Sequence, residues 1–263
     1  MKSKYFQLGH NKLAYTVFGE GEEVLVLFHG FGQSKTVFYD LPETVTVQFK
    51  LIAIDLFGHG KSSFFNKTML TPEDWKVYVE GVLQEESVGE FSILGFSLGG
   101  RVAINTAFVL KNRVKGLVLL APDGIVESLI YKLATRNWLF KRLFKKFVFK
   151  PHFYQKIIVM LKKMRVIDSS VSDFFLRVLE YKNRRFKLYR IWNMYAGMSV
   201  PFEETVQLFN WKPQVFLAER DLLVDNRKVE KTCKRLMIPL KVLPISHFRV
   251  IEYYFKSRAK FFS

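Results

Sequence analysis

Short runs of consecutive apolar residues recur along the chain, and longer stretches with helical apolar spacing separate them. Apolar runs of this length, followed by turn residues, are typical of strands that are buried on both faces of a parallel sheet. Their alternation with helical patterns predicts an α/β fold, built from a mostly parallel sheet with helices on both faces. The predicted strands cover residues 23–28, 51–55, 91–95, 114–120, 214–218 and 240–243.

The segments around these strands carry signals of their own. Leu13, Tyr15 and Val17 alternate with the residues between them, which predicts an antiparallel hairpin at an edge of the sheet. Thr71 is followed by proline and two acidic residues, a pattern typical of a capped helix start. Further helices are predicted over residues 98–110 and 226–236.

One long segment, residues 122–206, interrupts the alternation. It contains no buried-strand pattern, and its helical patterns are rich in Phe, Lys and Arg. An insertion of this size, with helices of its own, predicts a helical cap or lid over one edge of the sheet. The predicted core then comprises residues 1–121 and 207–263.

Positive charge is concentrated in this insertion. The formal net charge at pH 7 is +17, and residues 131–165 contain eleven Lys or Arg residues and no Asp or Glu. So local an excess indicates one particular surface rather than a general means of solubility.

Residues 138–148 combine this charge with an apolar stripe along a helix. Such a helix can cover an apolar pocket, or it can lie on an anionic membrane surface. The charge would also suit nucleic acid, but the segment contains no recognisable nucleic-acid-binding module, so we expect no such partner. The stripe consists of Trp138, Leu139, Phe140, Leu143, Phe144, Phe147 and Val148, and the opposite face carries Lys141, Arg142, Lys145 and Lys146.

The cysteine content and the first twenty residues of the chain indicate in which cellular compartment the protein resides. Cys233 is the single cysteine, so no internal disulfide can form, which fits a reducing compartment. Its helical, Lys-rich surroundings predict a half-buried helix residue. The first twenty residues contain no continuous apolar segment of the kind a secretory signal needs, and we expect a cytoplasmic protein.

The sequence Gly95-Phe96-Ser97-Leu98-Gly99-Gly100 lies between a predicted strand and a predicted helix. This context is typical of a nucleophile elbow, a sharp strand-to-helix turn that presents a serine. The residues two before and two after the serine must be small, because neighbouring backbone passes close to both. The N-terminus of the following helix can stabilise a developing oxyanion. The motif alone is also compatible with a phosphate-binding turn or a tight packing turn.

Four further polar motifs follow predicted strands. Because the carboxyl ends of parallel strands meet at one edge of a sheet, where open α/β sheets bind their ligands, we expect these motifs to converge. They are His29-Gly30-Phe31-Gly32, the turn at residues 55–62, Glu219-Arg220-Asp221 and Ser246-His247-Phe248.

Together these motifs resemble those of the α/β-hydrolase fold family, and in particular its small capped serine hydrolases, over essentially the whole chain outside the insertion. The resemblance implies a Ser-Asp-His chain order, which Ser97, Asp221 and His247 match. It also implies an oxyanion hole formed by the backbone N–H groups of Phe31 and Leu98. A serine at the elbow is unlike the family's epoxide hydrolases and haloalkane dehalogenases, which use a carboxylate nucleophile.

Other residues compete for the roles of base and acid. A base must reach the serine Oγ, and its second nitrogen needs a carboxylate that fixes the tautomer. His247 is favoured because it is the histidine that follows the last predicted strand, and the family pattern favours Asp221. Asp225 is expected to cap the next helix. The remaining alternatives are His10, His29, His59 and His152 for the base and Asp123 for the acid, while Asp55 is expected to brace its own turn.

The resemblance implies hydrolysis of a carboxylic ester or thioester through an acyl-Ser97 intermediate, without a metal or organic cofactor. The apolar insertion favours a small substrate with a hydrophobic acyl or aryl group. Phe96 and Arg101 are candidate substrate contacts. Gly100-Arg101 is similar to the menaquinone-pathway lyases of this fold, which makes a lyase the alternative, and a structural ion pair is the competing interpretation of Arg101. A non-catalytic binding protein is a further alternative, although a binder has no need of a complete triad.

Overall fold

The computed structural model of the chain describes residues 1–65, 69–127, 131, 132, 135, 137–163, 176, 180–221 and 223–259. The described strands are β1 (Lys4–Leu8), β2 (Asn11–Phe18), β3 (Glu23–Phe28), β4 (Phe49–Ile54), β5 (Phe91–Phe96), β6 (Val114–Leu120), β7 (Gln214–Arg220) and β8 (Leu240–Ser246). They form one eight-stranded sheet in the order β1-β2-β4-β3-β5-β6-β7-β8.

The six strands β3 to β8 all pair in parallel, and β1 and β2 form an antiparallel hairpin at the edge next to β4. The predicted mostly parallel sheet is thereby confirmed. At the centre, Val26 of β3 pairs with Ile52 of β4 on one side and Ile93 of β5 on the other. All three side chains are fully buried. Their side chains share one face of the sheet, and Leu27, the next residue of β3, lies on the opposite face and is also fully buried. Both faces of the sheet are therefore covered there, as continuous apolar strands require.

The described helices are α1 (Glu43–Gln48), α2 (Pro72–Glu85), α3 (Leu98–Val109), α4 (Trp138–Phe149), α5 (Pro151–Lys163), α6 (Lys182–Tyr195), α7 (Phe202–Gln207), α8 (Asn226–Arg235) and α9 (Val250–Ala259). The predicted start of α2 is a capping box, in which the side chains of Thr71 and Asp74 each accept the other's backbone N–H. None of the helices in the described part of the chain is long and apolar enough to cross a membrane.

Helices cover both faces of the sheet. Leu27 and Phe28 are consecutive residues of β3, so their side chains lie on opposite faces. Leu27 belongs to a buried cluster with Tyr254 of α9. The ring of Phe28 lies 5.8 Å from that of Trp75 in α2, whose indole N–H donates to Thr106 Oγ1 of α3 at 2.8 Å. One face therefore packs against α9 and the other against α2 and α3.

The chain divides into two compact units. The first comprises Met1–Val126 and Met198–Ser263, and contains the whole sheet, and the second comprises Glu127–Gly197. The second unit is shorter at both ends than the predicted insertion of residues 122–206, since α7 belongs to the first unit. Within the second unit, α4 packs on α6, where the ring of Phe144 lies 5.3 Å from that of Trp192. A lid function for this unit stays a prediction.

A buried ion pair joins the loop after β3 to the end of β4. Lys35 Nζ lies 2.5 Å from Asp55 Oδ2, and the Lys35 backbone N–H donates to Oδ1 at 2.8 Å. The two side chains are only 3% and 1% exposed. The Lys61 N–H also donates to Asp55 at 2.9 Å, so this carboxylate braces its own turn, as expected. No sequence pattern marked Lys35, because a lysine in a loop is ordinarily solvated.

Replacing Lys35 with Met removes the cation and leaves the Asp55 carboxylate buried without its charged partner. We expect the free energy of unfolding to fall by about 3–5 kcal/mol, measured by denaturant unfolding. The matched control is Lys115→Met, which removes an ion pair to Glu90 whose side chains are 64% and 59% exposed. This control should leave the unfolding midpoint unchanged. Equal stability of the two variants would contradict a structural role for the buried pair.

Candidate active site

Ser97 lies in a strained turn between β5 and α3. Its backbone has φ 53° and ψ −118°, a conformation that residues other than glycine rarely adopt. Flanking hydrogen bonds hold this turn: the Ser97 N–H donates to the Leu120 carbonyl at 3.0 Å, and the Asp123 N–H donates to the Ser97 carbonyl at 2.9 Å. The side chain is half-buried at the carboxyl end of the sheet. This is the geometry predicted for a nucleophile elbow.

Close backbone packing explains the glycines around Ser97. A Cβ atom on Gly95 would overlap the carbonyl oxygen of Gly99, and one on Gly99 would overlap the carbonyl oxygen of Phe28. Any side chain at either position would therefore push α3 away from the sheet. With glycine at both, the N-terminus of α3 begins directly against the end of β3.

His247 follows β8, and its imidazole contacts the carboxylate of Asp221. The Nδ1 atom lies 2.7 Å from Asp221 Oδ2, and the His247 and Asp221 side chains are 5% and 0% exposed. The other oxygen, Oδ1, accepts the backbone N–H groups of Leu223 and Val224 at 2.9 and 3.0 Å. Since the carboxylate can only accept, Nδ1 carries the proton and Nε2 of the neutral ring is left as an acceptor.

The ring of Phe96 links the elbow to the histidine. Its centroid lies 5.0 Å from that of the His247 ring, and a Cβ atom on Gly30 would lie 2.9 Å from the Cε1 atom of Phe96. The ends of β3, β5 and β8 therefore converge around the residue before Ser97. Phe96 is 1% exposed, which favours support of the imidazole over the predicted contact with substrate.

The loop after β3 forms a tight turn beside the elbow. The Gly30 N–H donates to Gln33 Oε1 at 2.9 Å, and Gly32 has φ 79°, a left-handed value that suits glycine. Phe31 lies in this turn and Leu98 is the first residue of α3. The end of β3 with its following loop and the start of α3 approach each other at Gly99. The N–H groups of Phe31 and Leu98 belong to these two segments, so they remain the predicted oxyanion donors.

The alternative acids have other partners. Asp225 is the N-cap of α8, where its side chain accepts the Lys228 N–H at 3.3 Å, as expected. Asp123 forms a bidentate pair with the buried guanidinium of Arg101, with both distances 2.9 Å. Arg101 also donates to the Met198 carbonyl at 3.2 Å. These contacts favour the structural interpretation of Arg101 over substrate binding, and they give the lyase alternative no support.

Of the alternative histidines, His29 and His59 bind the backbone of their own turns. His29 accepts the Leu56 N–H through Nε2 at 3.1 Å, and its Nδ1 lies 2.8 Å from the Gly30 carbonyl. His59 Nδ1 lies 3.2 Å from the Phe57 carbonyl. His10 is exposed in the turn of the β1–β2 hairpin, and the side chain of His152 lies outside the described residues. Within the described ranges, no group of three His, Cys, Asp or Glu side chains could hold a metal ion.

Cys233 is buried in α8, at 1% exposure, rather than half-buried as the sequence predicts. Burial disfavours the thiolate and raises the pKa of this thiol from its ordinary value to about 11. The thiol is therefore neutral throughout the physiological pH range.

We expect iodoacetamide to label Cys233 slowly in the native protein at pH 8, because the thiolate is scarce and covered. The rate should rise as the pH approaches 11, and at pH 8 it should rise at least tenfold in denaturant, where the pKa of a free thiol is about 8.5. Mass spectrometry of the alkylated protein measures both rates. Native labelling at pH 8 as fast as that of the denatured chain would contradict the burial.

The family model described as "alpha/beta hydrolase fold" matches residues 23–236. This match spans most of the chain, so the chain belongs to the alpha/beta hydrolase fold family. The resemblance inferred from the sequence motifs is thereby confirmed, as is the prediction of an enzyme of this fold at the level of the family.

The chain is also similar to individual proteins. The pimeloyl-(acyl-carrier protein) methyl ester esterase of Salmonella newport (strain SL254) is 35% identical over 111 residues, which are 42% of this chain and 41% of that protein. The chain thus aligns with less than half the length of the curated relatives it matches.

Two solved structures resemble the chain over nearly its whole length. A thermophilic esterase from Thermogutta terrifontis is 20% identical with a TM-score of 0.68, covering 99% of this chain and 98% of that one. Naproxen esterase from Bacillus subtilis is 17% identical with a TM-score of 0.64, covering 100% and 91%. At these identities the likeness shows the fold alone.

Proposed function

We propose that this protein is a serine hydrolase that cleaves a carboxylic ester or thioester through an acyl-Ser97 intermediate. The contact between His247 and Asp221 carries the proposal, because its 2.7 Å distance leaves Nε2 of a buried imidazole free to accept a proton. The packing of this imidazole against Phe96, the residue before Ser97, supports the pairing of base and nucleophile.

In the first half of the proposed reaction, Ser97 Oγ attacks the carbonyl carbon while its proton passes to His247 Nε2. The carbonyl oxygen becomes an oxyanion that accepts hydrogen bonds from the N–H groups of Phe31 and Leu98. When the tetrahedral intermediate collapses, the bond to the alcohol or thiol breaks. The leaving group takes the proton from His247, and the acyl group stays on Ser97.

In the second half, a water molecule attacks the acyl carbon and gives its proton to His247. Collapse of the second tetrahedral intermediate releases the carboxylic acid, and Ser97 Oγ recovers its proton from the imidazole. No metal or organic cofactor enters this scheme. The Asp221 carboxylate holds the Nδ1–H of the ring and stabilises the imidazolium in each half, which its burial makes more effective.

The proposed substrate is a small molecule with a hydrophobic acyl or aryl group. The name of one relative supports an ester as the bond that is cleaved, since that protein acts on a methyl ester. The single cysteine supports a cytoplasmic location. Bidentate pairing of Arg101 with Asp123 leaves no observation in favour of the lyase.

Replacing Ser97 with Ala should lower kcat by about 10³-fold or more, because nucleophile and base act as a unit. The assay is hydrolysis of p-nitrophenyl esters of increasing chain length, which also reveals the acyl preference. A fluorophosphonate probe should label the wild type and leave the variant unlabelled. Folding should be retained, as circular dichroism can check. Substantial esterase activity in the variant would show that Ser97 is not the nucleophile.

Two further variants distinguish the acids. Asp221→Asn should lower kcat by about 10²-fold or more, since the imidazole loses the carboxylate that orients it. Asp225→Asn is the matched control, four residues away on the same segment, and should cost at most about 1 kcal/mol of stability with little effect on kcat. If the control lost more activity than Asp221→Asn, the acid of the triad would have to be reassigned to Asp225.

A further inference from the structure

The apolar stripe of α4 is only half covered within the described residues. Phe144 and Val148 are buried, at 9% and 1% exposure, and Phe144 packs on Trp192 of α6. Leu139 and Leu143 on the same helix are 53% and 43% exposed. We use the name α4 face for the exposed apolar side chains of α4 that the structure describes. They are Trp138, Leu139, Phe140, Leu143 and Phe149. Leu143 lies one helical turn from both Leu139 and Phe140, and neighbouring exposed apolar groups usually mark a binding surface.

Basic side chains are interleaved with this face, whereas the sequence pattern predicts them on the opposite face of the helix. The guanidinium carbon of Arg142 lies 5.8 Å from the centroid of the Trp138 ring, and Lys145 Nζ lies 6.0 Å from that of Phe149. Arg142, Lys145 and Lys146 are all exposed. The α4 face therefore presents aromatic and aliphatic groups together with cations, without an intervening acid in the sequence of the helix.

The charge of the whole chain is concentrated in the same unit. Residues 127–197 contain 17 Lys or Arg residues and 4 Asp or Glu residues, a net charge of +13 out of the total of +17. The rest of the chain therefore carries only +4. A partner with an extended negative surface is the electrostatic complement of such a unit.

We propose that the α4 face docks the protein on anionic lipid bilayers. A twelve-residue helix is about 18 Å long, too short to span the roughly 30 Å hydrocarbon core, so α4 lies in the plane of the interface. Its leucines and aromatic rings enter the boundary between headgroups and acyl chains, and its lysines and arginine contact the phosphates. Nucleic acid would use the charge but would leave Leu139 and Leu143 without a role.

Both components of the face contribute to the expected affinity. Each basic residue near an anionic surface strengthens binding by about 1 kcal/mol, which is roughly a fivefold change in the partition coefficient. The attraction weakens with salt, because the Debye length falls from about 30 Å at 0.01 M to about 8 Å at 0.15 M. Binding should therefore depend on charge, on salt and on the apolar side chains.

The test is co-sedimentation of the full chain with vesicles of phosphatidylcholine and phosphatidylglycerol, at 10 and 150 mM salt. The wild type should bind these vesicles and leave pure phosphatidylcholine vesicles unbound. Changing Lys141, Arg142, Lys145 and Lys146 to Gln should weaken binding at least tenfold, and so should Leu139→Ser with Leu143→Ser. Circular dichroism and hydrolysis of a soluble ester should be unchanged, because these residues lie outside the proposed catalytic groups.

Matched controls separate the α4 face from the general charge of the protein. The helix α8 carries five exposed basic residues, of which Arg227, Lys228, Lys231 and Lys234 are of the same kinds as the four of α4. Changing these four to Gln gives the same net charge as the four-Gln α4 variant. Leu8→Ser with Leu208→Ser removes two exposed leucines from the first unit. Both controls should bind vesicles within threefold of the wild type.

Three results would overturn the proposal. The first is absence of binding to anionic vesicles at 10 mM salt. The second is an equal loss of binding in the α8 control, which would indicate attraction to net charge alone. The third is a wild type that binds a DNA duplex but does not bind vesicles, together with loss of DNA binding in the four-Gln α4 variant. That result would assign the face to nucleic acid.

Discussion

The close approach of α3 to the end of β3 is the constraint on which the rest of the site depends. It requires glycine at positions 95 and 99, because a Cβ atom at either would overlap a backbone carbonyl. With this packing in place, Ser97 is held at a left-handed φ of 53° by hydrogen bonds on both sides of the turn. The N-terminus of α3 is thereby fixed beside the loop that contains Phe31. Phe96, the buried residue before Ser97, packs against the ring of His247.

Carboxylates at the carboxyl edge of the sheet have distinct roles because their partners differ. Asp55 binds a buried lysine and the backbone of its own turn, so it fixes the loops after β3 and β4. Asp123 binds Arg101 in a bidentate pair. Asp221 receives backbone N–H groups on one oxygen and an imidazole on the other, which leaves a charge that can stabilise an imidazolium. Residue type alone does not distinguish these three groups.

In the second unit, the helix α4 both packs against α6 and presents exposed apolar side chains. Phe144 and Val148 are buried, and Phe144 packs on Trp192 of α6. The α4 face stays in contact with water at a cost in free energy. Two rings of the face, Trp138 and Phe149, lie close to Arg142 and Lys145 respectively. Binding of the face to a surface that is both apolar and anionic, as proposed, would offset this cost.

The sequence by itself determined the order of strands and helices, the parallel sheet, the cap of α2 at Thr71 and the elbow around Ser97. These depend on local patterns, namely apolar runs, turn residues and capping groups, which neighbouring residues specify. The tertiary structure alone decided the pairing of Lys35 with Asp55, that of Arg101 with Asp123, the full burial of Cys233 and the half-covered stripe of α4. Each of these depends on residues far apart in the chain, so no local pattern could specify which partner a charge finds or which face of a helix is covered.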